Sequence, residues 1–440
     1  MKVMKFGGTS VGSAQRIKNV ADLISAEKGN VVVLSAMSGT TDTLVEISGY
    51  LYNRNPDGAH DTINRLAAQY RKTVAELYST DEYKAKAASY VKGVFDYITS
   101  FTKTLFGEQE EKVILAQGEL ISTHLMAFYL MEKGVNVALL SALDFMRIDF
   151  HGEPDAEYIK EHATAAYDAA AGADLYVTQG FICRNPRGDV DNLKRGGSDY
   201  TASLLGAALG ADEIQIWTDI DGMHNNDPRI VSGTRAVRHL HFEEAAELGY
   251  FGAKILHPTC VLPARYANIP VRLLNTLDPS APGTTIDNVP EPGTIKSVAA
   301  KNNITAIKIK SSRMLLASGF LRKVFEIFES YQTPIDMICT SEVGVSVTID
   351  DTRHLGEIIH DLKKYGTVTV DHDMCIICVV GDMDWENVGF ESRATQALRD
   401  IPVRMISYGG SNYNISFLVK DEDKARALRA LSKSLFEDNA

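Results

Sequence analysis

The sequence predicts an α/β protein: a mostly parallel sheet sandwiched by helices, followed by two smaller α+β units of βαββαβ order. Three observations carry this. From residue 1 to about 277, short apolar runs alternate with long amphipathic stretches, the pattern of strands and crossover helices. Residues 278–294 (DPSAPGTTIDNVPEPGT) hold four prolines without periodicity and read as a linker. Beyond them, Pro334-Ile-Asp-Met-Ile-Cys339 returns 68 residues later as Pro402-Val-Arg-Met-Ile-Ser407, which marks an internal repeat.

In chain order, Val31–Ala36 (VVVLSA) is a continuous apolar run, as expected of a strand buried on both faces. Val113–Leu115, Val137–Leu140, Leu175–Gln179 and Ile214–Thr218 read as strands in the same way, with Arg65–Tyr78 and Ala156–Ala171 among the helices between them. The first repeat runs as strand Ile304–Lys310, helix Phe320–Tyr331, hairpin Ile335–Ile349, helix His354–Tyr365 and strand Thr367–Val370. The second runs through Cys375–Val380, Thr395–Asp400, Val403–Val419 and Lys424–Phe436, then stops one strand short. A missing strand leaves an open edge, which Ile295–Ala300 is placed to fill. The expected division is a large α/β domain over 1–277, a linker over 278–294, an inserted unit over 304–371, and a second unit made of 295–303 and 372–440.

A net charge of −12 argues against a nucleic-acid surface and requires a local basic pocket for any anionic substrate. Five cysteines, an odd number in apolar segments, fit reduced thiols in a cytoplasmic setting. Cys375-x-x-Cys378 lies in an apolar run without a second pair, so buried strand cysteines are expected rather than a metal site. No signal-peptide core and no run of membrane-spanning length is read, so no membrane partner is expected.

The chemistry concentrates after strands. Met1-Lys-Val-Met-Lys-Phe-Gly-Gly-Thr-Ser-Val-Gly12 takes a short strand into a glycine turn and then a helix, which suits an anion. Lys5 sits just before the turn. No G-x-x-x-x-G-K-[ST] is present, so this is not a Walker A loop. Gln117-Gly118-Glu119 reads as a helix opening, where Glu119 either stabilises the helix dipole or accepts an ammonium. Arg195-Gly-Gly-Ser-Asp-Tyr-Thr201 is a second glycine loop; Arg195 suits a carboxylate, while Ser198 and Thr201 also suit helix capping. Trp217–Gly222 and Asn226-Asp-Pro-Arg229 offer carboxylates in turns, and Phe251–Pro258 brings Lys254 after a glycine.

In this order the motifs resemble the aspartokinases of the amino acid kinase family along essentially the whole chain. They are Lys5–Val11, Leu34-Ser-Ala36 with Gly39-Thr-Thr41, Gly118–Thr123, Arg195–Thr201, Trp217–Gly222, Asp227-Pro-Arg229 and Phe251–Pro258. The resemblance is to the monofunctional, lysine-sensitive type, and the repeat resembles its paired ACT domains. It implies transfer of the ATP γ-phosphate to the β-carboxylate of L-aspartate, giving 4-phospho-L-aspartate for amino-acid biosynthesis. It implies ATP contacts at Lys5, Phe6, Gly7, Gly8, Ser35, Thr218, Asp219, Asp227, Arg229 and Lys254. It implies aspartate contacts at Thr41, Glu119, Arg195 and Ser198, with Lys5 and Asp199 as the catalytic pair. Mg²⁺ arrives with ATP, with no protein ligand set assigned.

Effector contacts are implied at Met314, Ser318, Gly319, Leu321, Asp336, Thr340, Ser341 and Glu342, with L-lysine as the expected effector. Ala317 departs from the pattern, which has a serine there. A homodimer or dimer of dimers through the ACT units is expected, without fusion to a dehydrogenase. Two alternatives stand beside this reading. One is a kinase for glutamate, acetylglutamate or UMP; the other is a non-catalytic amino acid sensor with a degenerate kinase domain.

Overall fold

The computed structural model describes residues 1–193, 196–252, 257–311 and 318–437. In chain order the elements are β1 (Lys2–Phe6), α1 (Ala14–Ile24), β2 (Asn30–Leu34), α2 (Thr40–Tyr52), α3 (Pro56–Leu77), α4 (Asp81–Ser100), α5 (Glu108–Glu132), β3 (Val137–Leu140), α6 (Ala142–Phe145) and α7 (Ala156–Ala169). There follow β4 (Leu175–Gln179), β5 (Ile182–Arg184), β6 (Val190–Asn192), α8 (Gly197–Leu209), β7 (Glu213–Thr218), β8 (His239–His241), α9 (Phe242–Tyr250), α10 (Leu262–Tyr266), β9 (Val271–Asn275) and β10 (Thr284–Asp287). The last third holds β11 (Ile295–Lys310), α11 (Phe320–Ser330), β12 (Ile338–Ser341), β13 (Gly344–Ile349), α12 (Leu355–Leu362), β14 (Thr367–Gly381), α13 (Phe390–Ala397), β15 (Met405–Ser407), β16 (Asn414–Lys420) and α14 (Lys424–Ser432).

These fall into two compact units. One holds Met1–Met223 and the later segment ending at Asn288; the other holds the segment beginning at His224 and everything from Val289. In the first, the strands run in the order β3-β4-β2-β1-β7-β9-β10. All neighbours are parallel except β10, which runs antiparallel to β9. Every residue of β2 is buried, so its Val-Val-Val-Leu run is the centre of the sheet. Burying each such side chain stabilises by about 1.5–3 kcal/mol over leaving it exposed. Parallel strands direct all their carboxyl ends the same way, so the turns after β1, β2, β4 and β7 share one rim.

Several expectations change here. Val113–Leu115 is not a strand but part of α5, and Glu119 lies in the middle of that helix rather than at its start. A three-residue apolar run has no period of its own, so a buried helix and a strand read alike. The acidic residues Glu108, Glu110 and Glu111 occupy the first turn of α5, where they meet the positive end of the helix dipole. By length and composition α5 is also long and apolar enough to cross a membrane, contrary to the sequence reading. Yet 72% of its most apolar stretch is buried inside the protein, as in a core helix. The stretch 278–294, read as a bare linker, carries β10, paired through Thr284–Ile286 with β9. Gly283 permits this approach, since a Cβ there would lie 2.0 Å from the Leu273 carbonyl oxygen.

In the second unit a six-stranded antiparallel sheet runs β12-β13-β11-β14-β16-β15. β11 and β14 are long because each passes through both repeats. Thr305–Lys310 pairs with β13, whereas Ile295–Lys301 lies against the Ile376–Gly381 part of β14, beside the second repeat. Register shifts between Lys301 and Ala306 mark the join. Phe320, Val324 and Phe328 of α11 cover one half of the sheet with Ile358 and Leu362 of α12. α13 begins at Phe390, five residues before the helix expected at Thr395, because Gly389 at φ +93° caps it there. Cys375 and Cys378 are fully buried in β14, and burial pushes both thiols well above the usual range.

Candidate active site

The rim of the parallel sheet holds a cavity of about 300 Å³ lined by Gly8, Ser35–Gly39, Thr41, Asp42, Glu119, Phe181, Gly197 and Ser198. Each wall follows from local chemistry. After β1 the chain turns at Gly7-Gly8, and the Ser38 N–H donates to the Gly8 carbonyl at 3.1 Å. A Cβ on Gly8 would sit 2.8 Å from the Ala36 carbonyl oxygen, so only glycine lets these turns touch. Lys5, on β1, reaches over this turn. Its Nζ pairs with Asp199 Oδ1 at 2.7 Å, both side chains being mostly buried.

Two helix N-termini face the same space. α2 begins beside Gly39 at φ +77° and presents Thr41; α8 begins beside Gly196 at φ +69° and presents Ser198. Their free N–H groups and dipoles favour anions. Phe181 holds φ +67°, uncommon for a side-chain-bearing residue and a mark of strain at a functional turn. Its N–H donates to Thr201 Oγ1 at 3.1 Å, which ties the turn after β4 to the first turn of α8.

Glu119 is 3% exposed. The Ala36 N–H donates to its Oε1 at 3.1 Å, whereas Oε2 is buried with no hydrogen-bond partner. Burial pushes the carboxyl up to about 8, only partly offset by the Ala36 hydrogen bond. A carboxylate half-satisfied at the wall of a cavity is prepared for a cationic donor.

Thus Gly8, Ser35, Thr41, Glu119 and Ser198 line one cavity, with Lys5, Gly7 and Asp199 at the adjoining turn. Phe6, the last residue of β1, is fully buried. Thr218 ends β7 and Asp219 follows it on the same rim; the Asp219 N–H donates to Thr218 Oγ1 at 2.6 Å. Asp221, in the same turn, accepts from the Gly283 N–H at 3.0 Å and so braces β10. Asp227 and Arg229 belong to the second unit, where Arg229 forks onto Asp227 at 2.9 and 2.8 Å and holds its carboxyl below the usual range. Arg195, Lys254 and Met314 lie outside the described residues. Phe181 and the Ala36 amide escaped the sequence reading. Their signal was available in position alone, directly after β4 and β2.

Among the effector positions, Ser318 and Gly319 are exposed ahead of α11, and Leu321 packs on its core. Thr340, Ser341 and Glu342 are exposed at the β12–β13 turn. Asp336 is instead buried, and its carboxylate is held by Lys301 and Tyr250.

A profile of the amino acid kinase family matches residues 1–275, and one of the ACT domain matches 377–435. The chain is 32% identical to lysine-sensitive aspartokinase 3 of Escherichia coli, over 99% of both chains. The chain belongs to the aspartokinases. Aspartokinase 1, chloroplastic, of Arabidopsis thaliana is 35% identical over 99% of this chain and 80% of its own. Among solved structures, E. coli aspartokinase III in complex with aspartate and ADP superposes with a TM-score of 0.86, at 31% identity over 99% of this chain and 100% of that one. The same enzyme in complex with lysine and aspartate gives 0.81 at 32%, over the same shares. As an aspartokinase, this chain is a phosphotransferase with a carboxyl group as acceptor.

Proposed function

We propose that the cavity on the rim binds L-aspartate and that Lys5 drives transfer of the ATP γ-phosphate to its β-carboxylate. The observation that carries this is the buried Glu119 Oε2, which lacks a donor in a cavity that also presents the Ser35, Ser38, Thr41 and Ser198 hydroxyls and two helix N-termini. An α-ammonium supplies that donor. Arg195, Thr41 and Ser198 take the α-carboxylate end, which leaves the β-carboxylate toward Gly8 and Lys5. That carboxylate is ionised at neutral pH, its reference pKa being about 3.9, so no general base is needed. The work is alignment and charge neutralisation. Lys5 bears on the transferring phosphoryl, Gly7 and Gly8 admit it to close backbone approach, and Asp199 fixes the Lys5 ammonium.

Thr218, Asp219, Asp227, Arg229 and Lys254 are the proposed nucleotide contacts. The exposed Asp219 carboxylate has the hard oxygen donors that Mg²⁺ takes. Bound with ATP, the ion neutralises phosphate charge. Feedback control by L-lysine at the 304–371 unit, a second ACT unit from 295–303 with 372–440, a homo-oligomer through these units and a cytoplasmic location complete the reading. E. coli aspartokinase III with bound lysine supports the effector.

The test is trapping of the acyl phosphate with hydroxylamine, using the full chain, ATP, Mg²⁺ and L-aspartate, with and without L-lysine. Aspartyl hydroxamate that falls with lysine is expected. Hydroxamate from glutamate or acetylglutamate instead would overturn the substrate, and product indifferent to lysine would overturn the effector.

A further inference from the structure

The second unit contains a ready-made site for an ammonium group, and it is full. Lys301 Nζ lies 2.6 Å from Asp336 Oδ1 and 2.9 Å from Asp350 Oδ2. It also sits over the Tyr250 ring, 4.5 Å from the centroid, while the Tyr250 hydroxyl donates to Asp336 Oδ1 at 2.8 Å. Two carboxylates and an aromatic face are what a primary ammonium needs when water is removed. The Asp336 side chain is 1% exposed, and its Oδ2 is buried without a partner. Lys301 thus fills the space between the two carboxylates without satisfying Asp336 Oδ2.

A structural staple common to both repeats would look different. The repeat displacement of 68 puts Arg404 where the first repeat has Asp336. The backbone agrees, since the Asp336 N–H donates to Thr348 and the Arg404 N–H to Leu418, at 2.9 and 2.7 Å. Arg404 pairs with Asp371 at 2.9 Å, but there the charges are exchanged and the side chains are 30% and 43% exposed. The second repeat thus has an open, singly paired staple of reversed sign. The first instead buries its Asp336 carboxylate, with the half-exposed Asp350 (41%) as the second carboxylate on Lys301.

We propose that Asp336, Asp350 and Tyr250 form a binding site for a primary ammonium, that Lys301 occupies it from within the chain, and that an effector's ammonium enters by displacing Lys301. This rests on the reading of Asp336 as an effector contact and adds an internal competitor to it. Lys301 then sets the effector concentration at which the site responds. Tyr250, the last residue of α9, loses or keeps its acceptor accordingly.

The experiment follows thermal unfolding of the full chain, wild type and Lys301→Met, against n-butylammonium, with n-butanol as the uncharged control. Removing Lys301 leaves a buried carboxylate without its counter-charge, so the variant is expected to melt lower and to recover with n-butylammonium. Recovery should occur at concentrations at least about tenfold below any effect on the wild type. An equal response of the two proteins, or equal recovery with n-butanol, would overturn the proposal. Lys301→Arg guards against a misfolded methionine variant. Its guanidinium refills the cage, so it should melt like the wild type and stay unresponsive; a response as strong as that expected of the methionine variant would overturn the cage. Lysine inhibition of wild-type turnover is scored separately. Inhibition without alkylammonium recovery sinks the cage alone, and recovery without inhibition sinks the lysine assignment alone.

Discussion

If Glu119 takes the α-ammonium as proposed, it should make aspartate binding pH-dependent in a way that its identity as a carboxylate does not suggest. In the empty site burial holds its carboxyl near 8, so at pH 7 the protonated form predominates. Pairing with an α-ammonium requires the ionised form. Below about pH 8 each unit of acidification should therefore weaken aspartate binding about tenfold, or about 1.4 kcal/mol. The dependence should be confined to aspartate: KM for aspartate climbs between pH 8 and 6 while KM for ATP stays level. Calorimetry in buffers of different ionisation enthalpy should find a proton released on aspartate binding near pH 7. Glu119→Gln should flatten the slope and raise KM for aspartate at pH 8.

The stability of the empty protein carries the same signature with a defined sign. A carboxyl raised above its unfolded value stabilises most below the unfolded pKa and loses that contribution as pH rises through the folded one. From this group stability should fall by up to ~1.4 kcal/mol per unit across roughly pH 5 to 8, and Glu119→Gln should remove that slope. A level KM for aspartate from pH 8 to 6, with no proton released, would refute the assignment of Glu119 Oε2 to the ammonium.

Lys5→Ala should keep the fold and lower kcat by about 10²–10³, the range for removing one preorganised charge donor; circular dichroism with hydroxamate assays checks both halves. Gly8→Ala forces a Cβ within 2.8 Å of the Ala36 carbonyl oxygen and should cost about 1–3 kcal/mol, read from urea midpoints, together with turnover. Arg195→Ala should raise KM for aspartate far more than KM for ATP; the reverse in steady-state kinetics would exchange the two subsites. Asp336→Ala should abolish inhibition by lysine, and an unchanged half-inhibitory concentration would remove Asp336 from the effector site.

The Gly7-Gly8 turn was legible because parallel strands put their carboxyl ends on one rim; the turn at Gly196-Gly197 follows the separate β5–β6 hairpin, and its place beside the cavity was legible only as the N-terminus of α8. Glu119 was legible as a residue but not as an environment. Its burial comes from α5, a core helix 25 residues long, and the three-residue fragment Val113–Leu115 carried no period to reveal it. The repeat was legible from a six-residue segment that returns with its Pro, Met and second Ile unchanged, yet the continuity of β11 and β14 was not. Nothing local distinguishes one strand of 16 residues from two that abut. The ammonium cage was invisible for a different reason. Asp336 was read as an effector contact, but Tyr250, Lys301 and Asp350 are separated from it in sequence, and each of these alone reads as an ordinary surface group.

A chain of net charge −12 that must gather ATP and aspartate faces repulsion from its own field. Its answer is local. Charges on the outer surface are screened over about 8 Å at physiological ionic strength, while contacts inside a cavity are not. The described cavity draws attraction mainly from backbone: the N-termini of α2 and α8, and the amides of the glycine turns. Dipoles fixed by the fold cost nothing to reorganise when a phosphoryl group moves, and they cannot be neutralised by a shift of pKa. Lys5, held by Asp199, adds one cationic side chain at the adjoining turn. Of the two acidic residues that line the cavity, Asp42 is exposed and Glu119 is buried, and burial pushes the Glu119 carboxyl up to about 8, which lessens its repulsion of a carboxylate near neutral pH.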